Sequence, residues 1–360
     1  MKTSRHSVLC EALLCVPLVL SACMPEDHPG ESLRSTIGPQ GGVLVGAAGT
    51  AFAGVRVEIP PGALGAPTEI TLAKVDSATP LPATAVGCGP MFALAPSGLR
   101  LAQPASVTLP YDPVVVGDQF RFEDEVKVWV ARTDASGWTQ RLQTDSTASS
   151  VTIELDTLTT VGAGVNPPTD PVRFQLHPNP AVVRCLAQYP DDESRAPRVD
   201  VTVVKGEQND GLFLRGRYIK PGLGFDMFLV EKSQLLADGT VDPLFTNFGL
   251  AIYVSDLATS ERGRLRASIR AVLLNVAFGF DPASPLAPTP LHELGFWFDD
   301  PQDVASCGFN VAKPTPFNPK HAAGPVAMIS VPDATTDLGP LCIDPDPTTS
   351  NPVRCSTDED

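Results

Sequence analysis

Val55-Arg56-Val57-Glu58-Ile59-Pro60-Pro61-Gly62-Ala63-Leu64, followed closely by Thr68-Glu69-Ile70-Thr71-Leu72, decides the fold class of this chain. Apolar residues alternate with Arg56 and Glu58 up to Ile59, a period of two that places one strand face in a core and the other in water. Pro60 and Pro61 each fix φ and remove a ladder donor, so pairing stops there, and Gly62 permits the reversal into the next strand. Ile70 and Leu72 then resume the alternation around Thr71. Upstream, Gly42-Val43-Leu44-Val45 is strand-like, and downstream so are 91–94, 105–109, 126–130, 138–142 and 151–155. Turn-rich pieces such as Ala95-Pro96-Ser97-Gly98 and Asp134-Ala135-Ser136-Gly137 separate them. Short strands at this spacing predict a β-sandwich or barrel over 36–165.

The rest of the chain keeps the same style. With 37 prolines and 29 glycines but only four tyrosines and three tryptophans in 360 residues, it favours turns and short strands over long helices. Asn166-Pro167-Pro168-Thr169-Asp170-Pro171 reads as a stiff linker (166–171). Beyond it, Val199, Val201 and Val203 alternate with polar neighbours, and 212–218, 225–231 and 248–255 are further candidate strands. Leu265, Ala267, Ile269 and Ala271 interleave with Arg264, Arg266, Ser268 and Arg270, which fits a half-exposed strand. Leu265, Ile269, Leu273 and Val276 also fit a helix face, so a strand followed by a short helix over 272–278 is the preferred reading. The expected fold class is all-β, with two β-sandwich-like domains at 36–165 and 172–345, the second disulfide-stabilised with at most a short helix, and an acidic tail at 346–360.

The amino terminus carries a different signal. Lys2, Arg5 and His6 give a basic start, 8–20 is mostly apolar, and Leu20-Ser21-Ala22-Cys23 closes the run with small residues. This is the three-part layout of a secretory signal, too short to favour a permanent span. Those four residues resemble the lipobox of bacterial lipoproteins. The resemblance implies a signal peptide at 1–22, cleavage between Ala22 and Cys23, and lipid on Cys23 as the membrane contact. Residues 23–35 are polar and proline-bearing and read as a flexible tether. Met24, in place of the aspartate that retains such proteins at the inner membrane, implies a lipid-anchored protein at the outer membrane of a Gram-negative cell.

A net charge of −15 repels nucleic acid, so nucleic acid is excluded as a partner. Cys10 and Cys15 fall in the signal, which leaves Cys88 and four cysteines in the carboxy-terminal half: Cys185, Cys307, Cys342 and Cys355. Outside the cytoplasm an even set of this kind reads as disulfides. Three pairings are open, and Cys185 with Cys307 and Cys342 with Cys355 are preferred. No Cys-x-x-Cys or His-x-x-x-His spacing supports zinc. Cys88, between Gly87 and Gly89-Pro90, reads as a lone thiol in or near a turn.

Gly41-Gly42-Val43-Leu44, the stretches 55–64 and 68–72, Phe92-Ala93-Leu94-Ala95-Pro96-Ser97-Gly98 and Pro104-Ala105-Ser106-Val107-Thr108-Leu109 together resemble the ZU-five domain of zonula occludens proteins, netrin receptors and ankyrins. The resemblance implies a compact β-sandwich used for protein contacts and mechanical linkage. Some members cleave themselves at a His-Phe-Ser sequence, a reaction that needs an activated hydroxyl. The corresponding Thr157-Leu158-Thr159 lacks the histidine and the serine, so Thr159 reads as a strand residue.

In the second half, His292-Glu293-Leu294-Gly295-Phe296-Trp297-Phe298-Asp299-Asp300 is the densest polar and aromatic stretch. His292 and Glu293 with His321 form the best available set for a transition metal or a catalytic site, and Asp299, Asp300 and Asp303 for calcium. Against this, Leu294, Phe296 and Phe298 share one strand face and read as core, and Asp299-Asp300-Pro301 reads as a turn. Phe225, Phe228, Phe245, Phe248, Tyr253, Phe278 and Phe280 suit either a core or a binding platform. No nucleophile elbow, zinc-protease helix or phosphate loop is present. The expectation is therefore a non-enzymatic envelope protein without a cofactor, held by its lipid to the membrane and binding a protein or glycan. An envelope enzyme or metal-binding protein with its site in the second half is the alternative.

Overall fold

The structure, a computed structural model, describes residues 32–75, 81–134, 136–206, 209–274, 291–318, 321–344 and 353–354. It is all-β. The first unit is built from β1 (Ser32–Ile37), β2 (Gly42–Val45), β3 (Arg56–Ile59), β4 (Thr68–Val75), β5 (Val86–Ala95), β6 (Arg100–Pro110), β7 (Lys127–Ala131), β8 (Trp138–Arg141), β9 (Asp145–Thr147), β10 (Ser150–Thr157) and β11 (Thr160–Val165). A short helix, α1 (Pro113–Asp118), follows β6. One sheet runs β1-β4-β5-β11-β7-β8 and the other β2-β3-β6-β10-β9.

The alternation that opened the reading is realised on both sheets. In β3, Val57 and Ile59 are buried while Arg56 and Glu58 face water and bond each other at 2.8 Å. In β4, Ile70 and Leu72 are fully buried. They meet Phe92, Leu94, Leu109, Ile153 and Leu155 in one continuous core, each side chain removing apolar area worth roughly 1.5–3 kcal/mol from water.

The second unit contains β12 (Val172–Pro178), α2 (Val183–Leu186), β13 (Arg198–Val204), β14 (Asp210–Arg217), β15 (Gly224–Val230), β16 (Ala251–Ala258), β17 (Leu265–Ala271), β18 (Glu293–Phe298), β19 (Thr315–Asn318), β20 (His321–Ala323) and β21 (Val326–Ile329). Two more short strands, β22 (Ile343–Asp344) and β23 (Val353–Arg354), pair with each other. The main sheet runs β16-β15-β18-β21-β12-β13-β14-β17. β12 turns the corner of this sheet: Val172 to Leu176 pair with β13, whereas His177 and Pro178 pair with β21. Its two edge strands, β16 and β17, are consecutive and joined by a turn in which Ser260 N–H donates to the Arg264 carbonyl at 2.8 Å. The sheet thus curls back on itself.

Val199, Val201, Leu212 and Leu214 on one side pack against Phe225, Met227, Leu294, Phe296 and Phe298 on the other. The opposite face of the same strands carries a second core of Phe228, Val230, Leu235, Trp297 and Ile329, with Phe248 packed on it. β18 is therefore buried on both faces. Cys185, in α2, is bonded to Cys307 at the end of the 3-10 turn Pro301–Cys307, with Cα atoms 6.1 Å apart.

Several local expectations are corrected. Residues 32–35, placed in the tether by their polarity, belong to β1, because the ladder to β4 satisfies their backbone and Leu33 packs on the core. Cys88 lies inside β5, buried, and not in a turn. Gly89 beside it serves close approach: a Cβ there would sit 2.3 Å from the Pro110 carbonyl oxygen. The strand expected over 248–255 starts later, at Ala251, because Asn247 accepts from Gly249 N–H at 2.9 Å and holds a turn before it. α1 was not expected, although Asp112 at its N-cap, accepting from Val114 N–H at 2.8 Å, and Pro113 in its first turn are ordinary start signals. Residues 265–271 are strand, 272–274 are irregular, and the remainder of the expected helix, 275–278, lies outside the described residues.

Candidate functional site

The polar set singled out in the second unit does not form a reaction centre among the described residues. Glu293 opens β18 with its side chain only 2% exposed, and it accepts the hydroxyl hydrogen of fully buried Ser330. The Ser330 oxygen in turn accepts from Leu294 N–H at 2.8 Å, and Ser330 N–H donates to the Leu294 carbonyl at 2.9 Å. This is a clamp between β18 and the end of β21, closed to solvent. His292 is half-buried just before β18, and burial lowers its pKa. His321 starts β20, and its side chain lies outside the described residues. No group of three or more His, Cys, Asp or Glu able to hold a metal occurs among the described residues.

The aspartates are turn residues. Asp300 caps the 3-10 turn by accepting from Gln302 N–H at 2.8 Å. Asp303 has its pKa raised, first by burial and then by Asp300, with Lys220 acting in the opposite sense. Thr159, expected in a strand, lies instead in the short connection between β10 and β11, where it is buried and its hydroxyl donates to the Ala131 carbonyl at 3.0 Å. Cys342 is disulfide-bonded. Its expected partner Cys355 lies outside the described residues, as do Ala22, Cys23, Phe278 and Phe280. Phe225 belongs to the main core and Phe228 to the second, while Phe245 stacks on Phe248 and Tyr253 stays half exposed. The aromatic group divides between core and surface.

The densest long-range chemistry lies where the two units meet. The loop that leaves α1 carries Asp118, Phe120, Phe122 and Asp124 onto β14 and β17. Phe120, held at φ 54°, and Phe122 place their rings 5.7 and 5.0 Å from that of Phe213. Asp118 accepts from Arg215 at 3.0 Å and from Arg266 at 2.5 Å, and Asp124 accepts from Arg270. The guanidinium groups also cover the rings: Arg215 lies 4.9 Å from the Phe120 centroid and Arg270 4.3 Å from that of Phe122. Such stacking on a partly desolvated ring contributes roughly 0.5–2 kcal/mol. Gly211, in β14, is required here, since a Cβ would lie 2.9 Å from carbons of both Phe122 and Phe213. Arg121 closes the loop from behind, donating to Glu125 at 3.1 Å and to the Asn166 carbonyl at 2.6 Å. The linker is thereby tied to the first unit.

Sequence reasoning missed this junction. Its signals were present: two phenylalanines in the polar run 117–125, and Arg266 and Arg270 on the outer face of β17. The arginines fitted a half-exposed strand and the phenylalanines followed no period, because the partners of both are remote in the chain.

Residues 33–123 match the ZU5 domain. The ZU5 match thus supplies β1-β4-β5 of one sheet and β2-β3-β6 of the other, together with α1. Residues 124–165 complete both sheets on the same side, adding β11-β7-β8 and β10-β9. The match ends inside the junction loop, so the ZU5 portion itself contributes Asp118, Phe120 and Phe122 to the contact with the second unit. No curated protein matches the chain.

Proposed function

We propose that this chain is a non-enzymatic protein of the cell envelope, anchored by lipid on Cys23, whose ZU5-like sandwich binds another protein. The ZU5 match is the observation that carries the binding role. An all-β sandwich with its apolar side chains consumed in one core leaves polar outer faces and edges for recognition. A buried, hydrogen-bonded Glu293 and Ser330 are consistent with architecture in the second unit and not with chemistry. The anchor rests on Leu20-Ser21-Ala22-Cys23. Each buried acyl CH₂ contributes roughly 0.8 kcal/mol, and two or more chains hold a protein durably without a membrane-binding surface of its own. Met24 favours the outer membrane of a Gram-negative cell. No helix among the described residues is long and apolar enough to cross a membrane.

Two measurements test the reading. Cys23→Ser is expected to move the folded protein from the membrane fraction to the soluble one, and unchanged sedimentation with membranes would refute the lipid anchor. Photo-crosslinkers placed at exposed positions of 36–165 in the intact cell are expected to capture a discrete envelope protein. Capture only from positions in 172–345 would transfer the binding role to the second unit.

A further inference from the structure

We propose that the cleft between the two units, beside the aromatic junction, binds a small carboxylate that carries an apolar ring. The cleft has a volume of about 510 Å³ and takes its walls from both units, among them Phe122 and Lys127 from the first and Lys205, Phe213 and Arg270 from the second. That volume lies within the roughly 300–1,000 Å³ of small-ligand pockets, which occur preferentially between domains. It is too small for a folded partner.

The charges of the cleft decide the class of ligand. Arg270 is neutralised by Asp124, and Arg121 by Glu125 at 3.1 Å. The two acids among the described residues of the lining are thereby spent. Lys127 and Lys205 remain, and neither makes an ion pair among the described residues. Lys127 stands on β7 opposite Gly164, which offers it no cross-strand side chain. Two lysines lining one cleft without an ion pair among the described residues, in a chain of net charge −15, form a local reversal of sign. The cleft therefore attracts an anion while most of the surface repels it. Phe122 and Phe213, whose centroids are 5.0 Å apart, supply apolar wall for a ring. A carboxylate between Lys127 and Lys205 joins the two units by charge-assisted hydrogen bonds that the empty protein lacks.

Isothermal titration of the full chain with benzoate tests this directly, with phosphate as the anion lacking a ring and benzyl alcohol as the ring lacking a charge. Benzoate is expected to bind with one-to-one stoichiometry and more tightly than either control. Lys127→Ala with Lys205→Ala should weaken benzoate at least about tenfold, the factor that corresponds to one hydrogen bond to a charged group. Lys127→Arg with Lys205→Arg should restore most of it. Both lysines lie outside the cores, so the melting temperature without ligand should not move. Absence of benzoate binding, equal binding by the double alanine variant, or phosphate binding as tightly as benzoate would each overturn the proposal.

Discussion

The two β-units solve the same problem, covering a sheet, in different ways. In the first, most strands bury one face, β7 and β11 excepted, two sheets close over a single core, and the one cysteine, Cys88, is unpaired. In the second, β18 is buried on both faces between two cores, and a disulfide ties a helix to the turn that follows the strand. A strand buried on both sides needs cover from segments far away in sequence. The second unit should therefore depend on a few long-range fastenings, whereas the first spreads its stability over many equivalent contacts.

The largest expected contrast comes from the disulfide. Replacing Cys185 and Cys307 by serine opens a loop with a sequence separation of 122, which should destabilise the second unit by about 4–5 kcal/mol. Denaturant unfolding followed by Trp297 fluorescence would show it. The rate of Cys88 alkylation, scored by mass spectrometry of its peptide, should be the same in this variant as in the parent, since the first unit stays folded. Burial pushes the Cys88 thiol up to about 12, so this cysteine should react only when its sandwich opens. Early alkylation of Cys88 in the disulfide variant would break the comparison.

Next in size is the clamp on β18. Ser330→Ala removes the hydroxyl that Leu294 N–H donates to and that donates to the Glu293 carboxyl, and should cost about 1–3 kcal/mol, again confined to the Trp297 transition. Gly211→Ala should have a comparable effect of about 1–3 kcal/mol through overpacking, but at the junction. Faster cleavage at 166–171 by a protease would report it while both cores stay folded.

A smaller contrast lies in pH. The second unit holds His177 and His292, both with pKa lowered from 6.5 because burial disfavours the cation, and residues 32–165 contain no histidine. The unfolded chain binds protons that the folded one resists, so stability is full above pH 6.5 and declines as pH falls from there toward the folded values. Denaturation midpoints at pH 7.5 and 5.5 should differ for the Trp297 transition. His292→Gln should reduce that difference.

The smallest effect is expected from Asp118→Asn. Its partners Arg215 and Arg266 keep 35% and 58% of their side-chain surface, and pairs this exposed contribute about 1 kcal/mol or less. Raising salt in the parent protein should mimic the substitution, since screening acts on the same charges.

Legibility in the sequence follows the same division. β3 and β4 could be read from Val55 to Leu72 because one buried face leaves a period of two in the residues themselves. β18 could be read in half: Leu294, Phe296 and Phe298 announced the main core, but Trp297 and Glu293 sit on the other face, whose cover comes from elsewhere. Glu293 looked like a candidate ligand because its partner, Ser330, is 37 residues away. The junction was illegible for the same reason, with Asp118 meeting Arg215 and Arg266 across separations of 97 and 148. Local pattern reports which face of an element is apolar, and it does not report what arrives from a distance to meet a polar one.

The bond between Cys185 and Cys307 encloses β13 to β18 in one covalent ring. The long excursion between β15 and β16, where Leu244 is 83% exposed, lies inside that ring. A protease that nicks the chain there opens the ring without releasing a fragment. Both pieces stay joined, and the cut strands β15 and β16 remain paired in their sheet. Damage at this exposed excursion of the second unit thus leaves a two-chain molecule in the shape of the original.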